Sequence, residues 1–217
     1  MSPNKSFNVS ETGITGLETA IILIAFVVVA SVFAYVVLSA GIFATQKSQE
    51  AIYHGLDEAK SAIEMRGNLI AKAEIIGTSG QISQFIFTVG GALGITQPID
   101  FTGPNPDPGN TGLAAAGSNN LVVVTYQDQD QCVQNLYWTV NKLGAADPDD
   151  LLENDEMFEI IVGAPVASQS GGNLIDALDC GLGPNKSFSL EIKPPNGATL
   201  NFERTTPAYI DNVINLN

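Results

Sequence analysis

Few side chains of this 217-residue chain are suited to catalysis. There is one histidine, His54, and the residues next to it in the sequence offer no catalytic partner. The chain also lacks a G-x-S-x-G turn, a glycine-rich phosphate loop and an H-E-x-x-H helix. We therefore predict that the protein is not an enzyme, that it has no catalytic residues and no cofactor, and that His54 is a surface residue.

Acidic side chains are concentrated in residues 147–156, which read DPDDLLENDE. Hard cations such as Ca²⁺ take several oxygen ligands, so this segment could be a calcium loop. It lacks the glycine and the alternate ligand spacing of an EF-hand loop. We predict a solvated loop and assign no metal ligands.

The charge balance restricts the class of partner. The chain has 23 acidic and 9 basic residues, and residues 80–217 alone hold 16 acidic and 4 basic residues. A domain this acidic repels the phosphate backbone of nucleic acids and anionic membranes. No nucleic-acid partner is expected.

Two further residue types allow covalent chemistry. Cys132 and Cys180 both follow the long apolar segment of the chain, and outside a membrane they could form a disulfide or remain two separately buried thiols. We predict the disulfide. Asn185-Lys186-Ser187 follows Gly183-Pro184 and is an N-x-S sequon in a predicted turn, so Asn185 is a possible glycosylation site.

The element that dominates the chain is an apolar run from Ala20 to Ala44 with no charged residue. It exceeds the roughly 20 residues that a helix needs to cross the hydrocarbon core of a bilayer. A secretory signal cleaved near Ser39-Ala40-Gly41 is an alternative, but the run is longer than the usual h-region. Apolar residues continue at helical spacing beyond the run, which predicts one helix from Ile14 to Ala73, ended by a glycine hinge at 77–80.

Beyond the hinge the pattern changes from helical to alternating, with turn clusters between the apolar runs. The pattern predicts an α+β protein in which residues 14–79 form the helical segment and residues 80–217 form an antiparallel β-sandwich, plausibly immunoglobulin-like. The expected strands cover residues 81–89, 121–127, 135–143, 157–162, 187–192, 199–204 and, more weakly, 208–213.

The segment from Thr12 to Ala20, TGITGLETA, leads directly into the apolar run. It resembles the class III signal of type IV pilins, and TGLETAIILIAFVVVASVFAYVVLSAGIFATQKSQEAI resembles the N-terminus of archaeal flagellins, or archaellins. The resemblance implies that residues 1–13 are a leader. A prepilin-type peptidase would cut between Gly13 and Ile14, which makes Glu18 the fifth residue of the mature chain.

Glu18 has two interpretations. A carboxylate at the start of an apolar helix is costly if it is buried without a partner, and the new amino group at Ile14 could pair with it within one subunit or between neighbours. Alternatively, Glu18 is an acid of the first turn that the helix dipole stabilises.

The resemblance implies a structural subunit that polymerises through its N-terminal helix into the archaellum, an extracellular swimming filament. The implied partners are further copies of the chain, alone or together with sister archaellins, the peptidase, and a membrane assembly and motor platform. The precursor would be inserted transiently in the cytoplasmic membrane. Two alternatives remain open: a subunit of a non-rotating adhesive pilus, and a membrane-anchored extracellular binding domain.

Overall fold

The computed structural model of the protein describes residues 11–60, 62–92, 97–144 and 146–216. The chain divides into two compact units, one up to His54 and one from Gly55 onward. Residues 1–10, most of the predicted leader, lie outside the described residues.

The first unit contains most of the long helix α1, Glu11–Lys60, whose last residues from Gly55 belong to the second unit. At about 1.5 Å per residue, the 50 residues of α1 extend for about 75 Å. The helix contains the whole uncharged run, as predicted, but it ends at Lys60, so the prediction that it continues to Ala73 is wrong.

The residues wrongly assigned to the helix form two strands, β1 (Ile63–Met65) and β2 (Leu69–Ile75). In β2 the side chains alternate, with Leu69 and Ala71 buried and Lys72 exposed. This period of two was hidden because alanine, lysine and glutamate are strong helix formers. Pairing with a neighbouring strand outweighs that weak local preference.

The glycine segment at 77–80 does not end the helix. It forms the turn between β2 and β3, where Gly77 pairs with Ile210 in an isolated bridge. A Cβ on Gly80 would lie 2.6 Å from the Cβ of Ile210 and 2.6 Å from the carbonyl oxygen of Ile75. Glycine is therefore required there by a close approach of the backbone and not by a helix cap.

The second unit consists mainly of antiparallel strands. The remaining elements are β3 (Gln81–Gly91), β4 (Ile99–Asp100), β5 (Val123–Asp128), β6 (Cys132–Val133), β7 (Trp138–Leu143), β8 (Leu151–Leu152), β9 (Met157–Val162), α2 (Leu174–Ala177), β10 (Ser187–Lys193), β11 (Leu200–Thr205) and β12 (Val213–Leu216). The six stronger predicted strands match β3, β5, β7, β9, β10 and β11, whereas the short strands β4, β6 and β8 were not predicted.

The strands form two main sheets and one small pair, β4 with β8. The large sheet has the order β12-β2-β3-β9-β7, with β1 also paired to β3, and the small sheet has the order β11-β10-β5-β6. The strands β1 and β2 follow one another along the same edge of β3, since Met65 pairs with Val89 and Ile70 pairs with Ile86.

The two main sheets pack face to face through aromatic side chains. Phe85 of β3 stacks on Phe188 of β10 with ring centroids 4.8 Å apart, and Phe188 also stacks on Tyr126 of β5 at 5.9 Å. Phe87 contacts Phe202 edge to face at 5.5 Å. The predicted antiparallel β-sandwich, preceded by a long apolar helix, is therefore confirmed.

Candidate assembly surface

The described apolar side chains of α1 are exposed. Phe26 is 73% exposed, Phe33 is 70% exposed and Val28 is 55% exposed. Over Gly16–Leu56 the helix is long and apolar enough to cross a membrane, and none of its most apolar window is buried. From Ala20 to Ala44 the helix has no charged residue and no polar face, and a helix that is apolar all round is normally covered by protein or lipid.

Three hydroxyl groups on this helix are bonded to the helix itself. Ser31 Oγ donates to the carbonyl oxygen of Val28 at 2.8 Å, and Thr45 Oγ1 donates to that of Ile42 at 2.8 Å. Thr19 Oγ1 donates to the carbonyl oxygen of Gly16 at 3.0 Å. These bonds let polar residues sit in apolar surroundings without unpaired donors. Sequence reasoning missed this role, although hydroxyl residues inside an otherwise apolar helix are the signal for it.

Small residues occupy one side of the middle of α1. Ala30, Ala34, Gly41 and Thr45 are separated by four, seven and four positions, which places them on a common helix face. Small residues allow close approach of a second helix where packing, and not the release of water, drives association. The side chains around this face are large, with Phe33 and Tyr35 both exposed.

The residues singled out for processing lie at the start of α1. The backbones of Gly13 and Ile14 are helical, and Glu18 is exposed on the same helix. The proposed cleavage between Gly13 and Ile14 and the pairing of Glu18 stay predictions. His54 lies on the exposed side of α1, as predicted for a surface residue.

The sequon lies on an exposed turn of the second unit. Asn185 is exposed, with a φ of 54°, and its backbone N–H donates to the carbonyl oxygen of Pro207 at 3.2 Å. The next residue, Lys186, forms an ion pair with Asp130 at 2.9 Å. Hydrogen bonding to Asp130 raises the pKa of Lys186 above its ordinary value. The Asn185 side chain is therefore presented to solvent by a well-bonded turn.

A carboxylate network lies next to this turn, at the end of β5. Asp128 Oδ2 accepts from Tyr126 Oη at 2.8 Å, and Asp128 Oδ1 accepts from the backbone N–H groups of Asp130 and Gln131 at 2.7 and 2.8 Å. Partial burial by itself raises the pKa of Asp128, but these hydrogen bonds outweigh it and hold the pKa below its usual value. Burial, reinforced by Asp128, raises the pKa of Tyr126.

The two cysteines are free and exposed, so the predicted disulfide is not confirmed. Cys132 belongs to β6, whereas Cys180 follows α2. A hydrogen bond joins the segment before β6 to the segment after α2: Gln131 Nε2 donates to the carbonyl oxygen of Cys180 at 2.6 Å.

The acid-rich segment is an internally bonded loop. Glu156 accepts from the backbone N–H groups of Asp147 and Glu153 at 2.9 and 3.0 Å. Lys142 pairs with Asp150 at 3.0 Å. Across the described ranges, no three His, Cys, Asp or Glu residues are arranged to hold a metal ion. The loop's carboxylates act here as caps for backbone donors.

Residues 13–204 match the family model "archaeal-type flagellin". The chain is 35% identical over 212 residues to "Probable flagellin 1" of Archaeoglobus fulgidus, an alignment that covers 94% of this chain and 95% of the relative.

Two solved structures have a similar fold. The archaeal flagellum of Methanospirillum hungatei strain JF1 matches with a TM-score of 0.56 and 26% identity, over 93% of this chain and 98% of that one. The crystal structure of flagellin FlaB1 from Methanocaldococcus jannaschii matches in fold, with a TM-score of 0.50 and 12% identity, over 71% of this chain and 95% of that one. The uncovered apolar helix, the β-sandwich and the family model agree: this chain belongs to the archaeal-type flagellin family.

Proposed function

We propose that this flagellin is cut before Ile14 and then polymerises through α1 into the archaellum, the filament used for swimming. As a flagellin, the chain is a structural filament subunit, and its assembled form is a surface structure outside the cell. The observation that carries the proposed mechanism is the exposure of the apolar surface of α1. That surface is stable only when lipid or other helices cover it.

The same helix suits both environments in turn. All backbone hydrogen bonds of an α-helix are internal, and the hydroxyls of Ser31 and Thr45 are also bonded within α1. Moving the helix from a bilayer to a bundle of identical helices therefore leaves no backbone group unpaired. In the proposal, the precursor is inserted in the cytoplasmic membrane and a membrane platform extracts it into the growing filament.

The product of this packing is an open fibre. Identical subunits that bind head to tail form a closed ring only if the rotations from one subunit to the next add up to a full turn. Otherwise they form an open helical filament. In this proposal the helices form the filament core, and further copies of the chain, or of sister flagellins, are its partners. The β-sandwich of each subunit then forms the outer wall.

Electron microscopy of sheared material, followed by N-terminal sequencing, tests the proposal. We expect filaments whose subunits begin at Ile14, and cells that lose swimming when this chain is deleted. Filaments whose loss abolishes attachment but not swimming would indicate an adhesive pilus. A protein that stays in detergent-solubilised membranes and never shears off would contradict polymerisation.

The pairing role of Glu18 is tested with Glu18→Gln, which keeps the shape and removes the charge. If Glu18 neutralises the amino group of Ile14 in an apolar core, this variant fails to enter filaments. If Glu18 only interacts favourably with the helix dipole, its replacement lowers the stability of the helix by about 0.3–1 kcal/mol, and filaments still form. Glu50→Gln, near the other end of α1, is the matched control, because Glu50 already has a local partner, Lys47.

We also propose N-glycosylation of Asn185, which the exposure of this residue on a turn supports. Intact-mass measurement of native filaments should show a glycan mass that disappears in Asn185→Gln. Asn196→Gln changes an exposed asparagine outside any sequon and should leave the mass shift unchanged. A native mass equal to that of the unmodified mature chain would contradict the proposal.

A further inference from the structure

The solvent face of the large sheet carries a row of isoleucines. Ile70 pairs with Ile86, and Ile86 pairs with Ile161, so the three side chains lie side by side across β2, β3 and β9. Ile70 is 36% exposed, and the other two are half-buried. An antiparallel sheet with one face in water normally carries polar residues on that face, so this row departs from the usual pattern.

The small sheet shows the usual pattern on its own solvent face. Thr125, Glu191 and Asn201 form one row across β5, β10 and β11, and the next row is equally polar, formed by Gln127, Ser189 and Glu203. On the large sheet the next row, formed by Thr88, Glu159 and Asn141, is also polar, so the departure is confined to the row of Ile70, Ile86 and Ile161. Three adjacent isoleucines on a solvent face indicate a local contact at that row.

Two of the three isoleucines, Ile86 and Ile161, line a groove of about 290 Å³, and Tyr137, Pro165 and Lys72 line it as well. Val213 pairs with Lys72 across β12 and β2 and is 56% exposed. A groove with isoleucines next to exposed apolar and cationic side chains is typical of a protein contact surface.

The charge of Lys72 points to the kind of partner. Lys142 and Lys186 pair with Asp150 and Asp130 at 3.0 and 2.9 Å, whereas Lys72 and, at the end of β10, Lys193 have no ion pair among the described residues. The rest of the second unit is strongly acidic, since residues 80–217 hold 16 acidic and only 4 basic residues. A second copy of this chain therefore offers many carboxylates to Lys72.

We propose that the isoleucine face of the large sheet contacts a neighbouring copy of the chain within the filament, with Lys72 receiving a carboxylate of that copy. The polar face of the small sheet remains in water. This inference rests on the proposed function, because it requires a filament. It adds that assembly uses a specific face of the β-sandwich in addition to α1.

Thiol labelling of assembled filaments tests this contact. The parent is the full chain with Cys132→Ser and Cys180→Ser, and single cysteines are added by Val213→Cys on the isoleucine face or by Asn201→Cys on the polar face. Both positions are exposed in the single chain. A hydrophilic maleimide should label both at similar rates in detergent-solubilised subunits. In filaments, labelling of Val213→Cys should fall by about tenfold or more, since a covered thiol reacts only after local opening.

The outcomes separate the two proposals. If the chain with its natural cysteines forms no filaments, the proposed function fails. If filaments form and Val213→Cys is labelled as fast as Asn201→Cys, the contact surface is wrong while polymerisation stands. If Val213→Cys is protected from labelling only in filaments that are still attached to cells, a second copy of the chain is not what covers this face, and the proposal is wrong.

Carbodiimide cross-linking identifies the partner group. In filaments built from mixed ¹⁴N and ¹⁵N subunits, Lys72 should be joined to a carboxylate through an amide, with mixed-isotope peptides present. Lys72→Arg keeps the positive charge but removes the reactive amine, so the cross-link should disappear while filaments persist. Cross-links made only within one isotope would place the partner inside the same subunit and contradict the proposal.

Discussion

Phenylalanine has opposite environments in the two units of this flagellin. In α1, Phe26 and Phe33 are 73% and 70% exposed, whereas in the sandwich Phe85 and Phe188 are 0% and 1% exposed. The sandwich buries most of its aromatic rings in a core, whereas the described apolar side chains of the helix are exposed. One unit is stabilised by its own packing, and the other requires lipid or further copies. Mutations in the two units should therefore affect different measurements.

The strongest expected effect comes from a charge in the helix. Val28→Asp places a carboxylate on the apolar surface, at a cost of about 2.5–3.5 kcal/mol at the centre of a spanning helix. Because every subunit carries the change, we expect no filaments in electron micrographs, while the unfolding midpoint of the sandwich stays unchanged. Val28→Leu is the control and should assemble. Intact fibres from an exported, processed Val28→Asp protein would contradict assembly through α1.

A cavity in the sandwich core should have the reverse effect. Phe85→Ala removes a ring stacked 4.8 Å from Phe188, and such substitutions cost about 3–5 kcal/mol. Trp138 is the only tryptophan and is fully buried, so its fluorescence reports urea unfolding of the sandwich. The midpoint should fall while the helical circular-dichroism signal of detergent-solubilised α1 remains. An unchanged midpoint would mean that the two sheets do not depend on this contact.

A smaller loss is expected where one side chain joins the two sheets. Arg204 Nε in β11 of the small sheet donates to the carbonyl oxygen of Leu216 in β12 at 3.2 Å. Arg204→Met should lower the free energy of unfolding by about 1–2 kcal/mol, because this bond is lost while the aliphatic stem is retained. Lys186→Met removes only an exposed ion pair and should cost less than about 1 kcal/mol. Equal losses would show that the bond to Leu216 adds nothing specific.

The smallest expected effect is on the stability of the sandwich at low pH. The folded-state pKa of Asp128 is depressed, so its ionised form contributes stability above the unfolded pKa of about 4. That contribution is lost as the pH falls through the lower, folded-state pKa. Asp128→Asn should therefore flatten the decline of the urea midpoint below about pH 4. A decline identical to that of the parent protein would show that Asp128 does not cause it. Asp179→Asn, which changes an exposed acid outside this hydrogen-bond network, serves as the control.

The sequence predicted those elements whose periodicity is local. The strands β3, β9 and β10 were identified because apolar residues alternate over six or more positions between turn residues. The strand β2 was missed because its alternating residues are Leu, Ala and Lys, which also favour a helix. The Tyr126–Asp128 network was missed because the burial of Tyr126 depends on its packing against Phe188, far away in the chain.

The sequence by itself determined the uncharged helix, the acidic charge balance, the sequon and the leader-like motif, because each is a property of neighbouring residues. Only the tertiary structure decided that the helix ends at Lys60, that the cysteines are free, and that Ile70, Ile86 and Ile161 share one solvent face. Each of these depends on which distant strands pair and in what register. A shift of one residue in a strand moves every side chain to the opposite face.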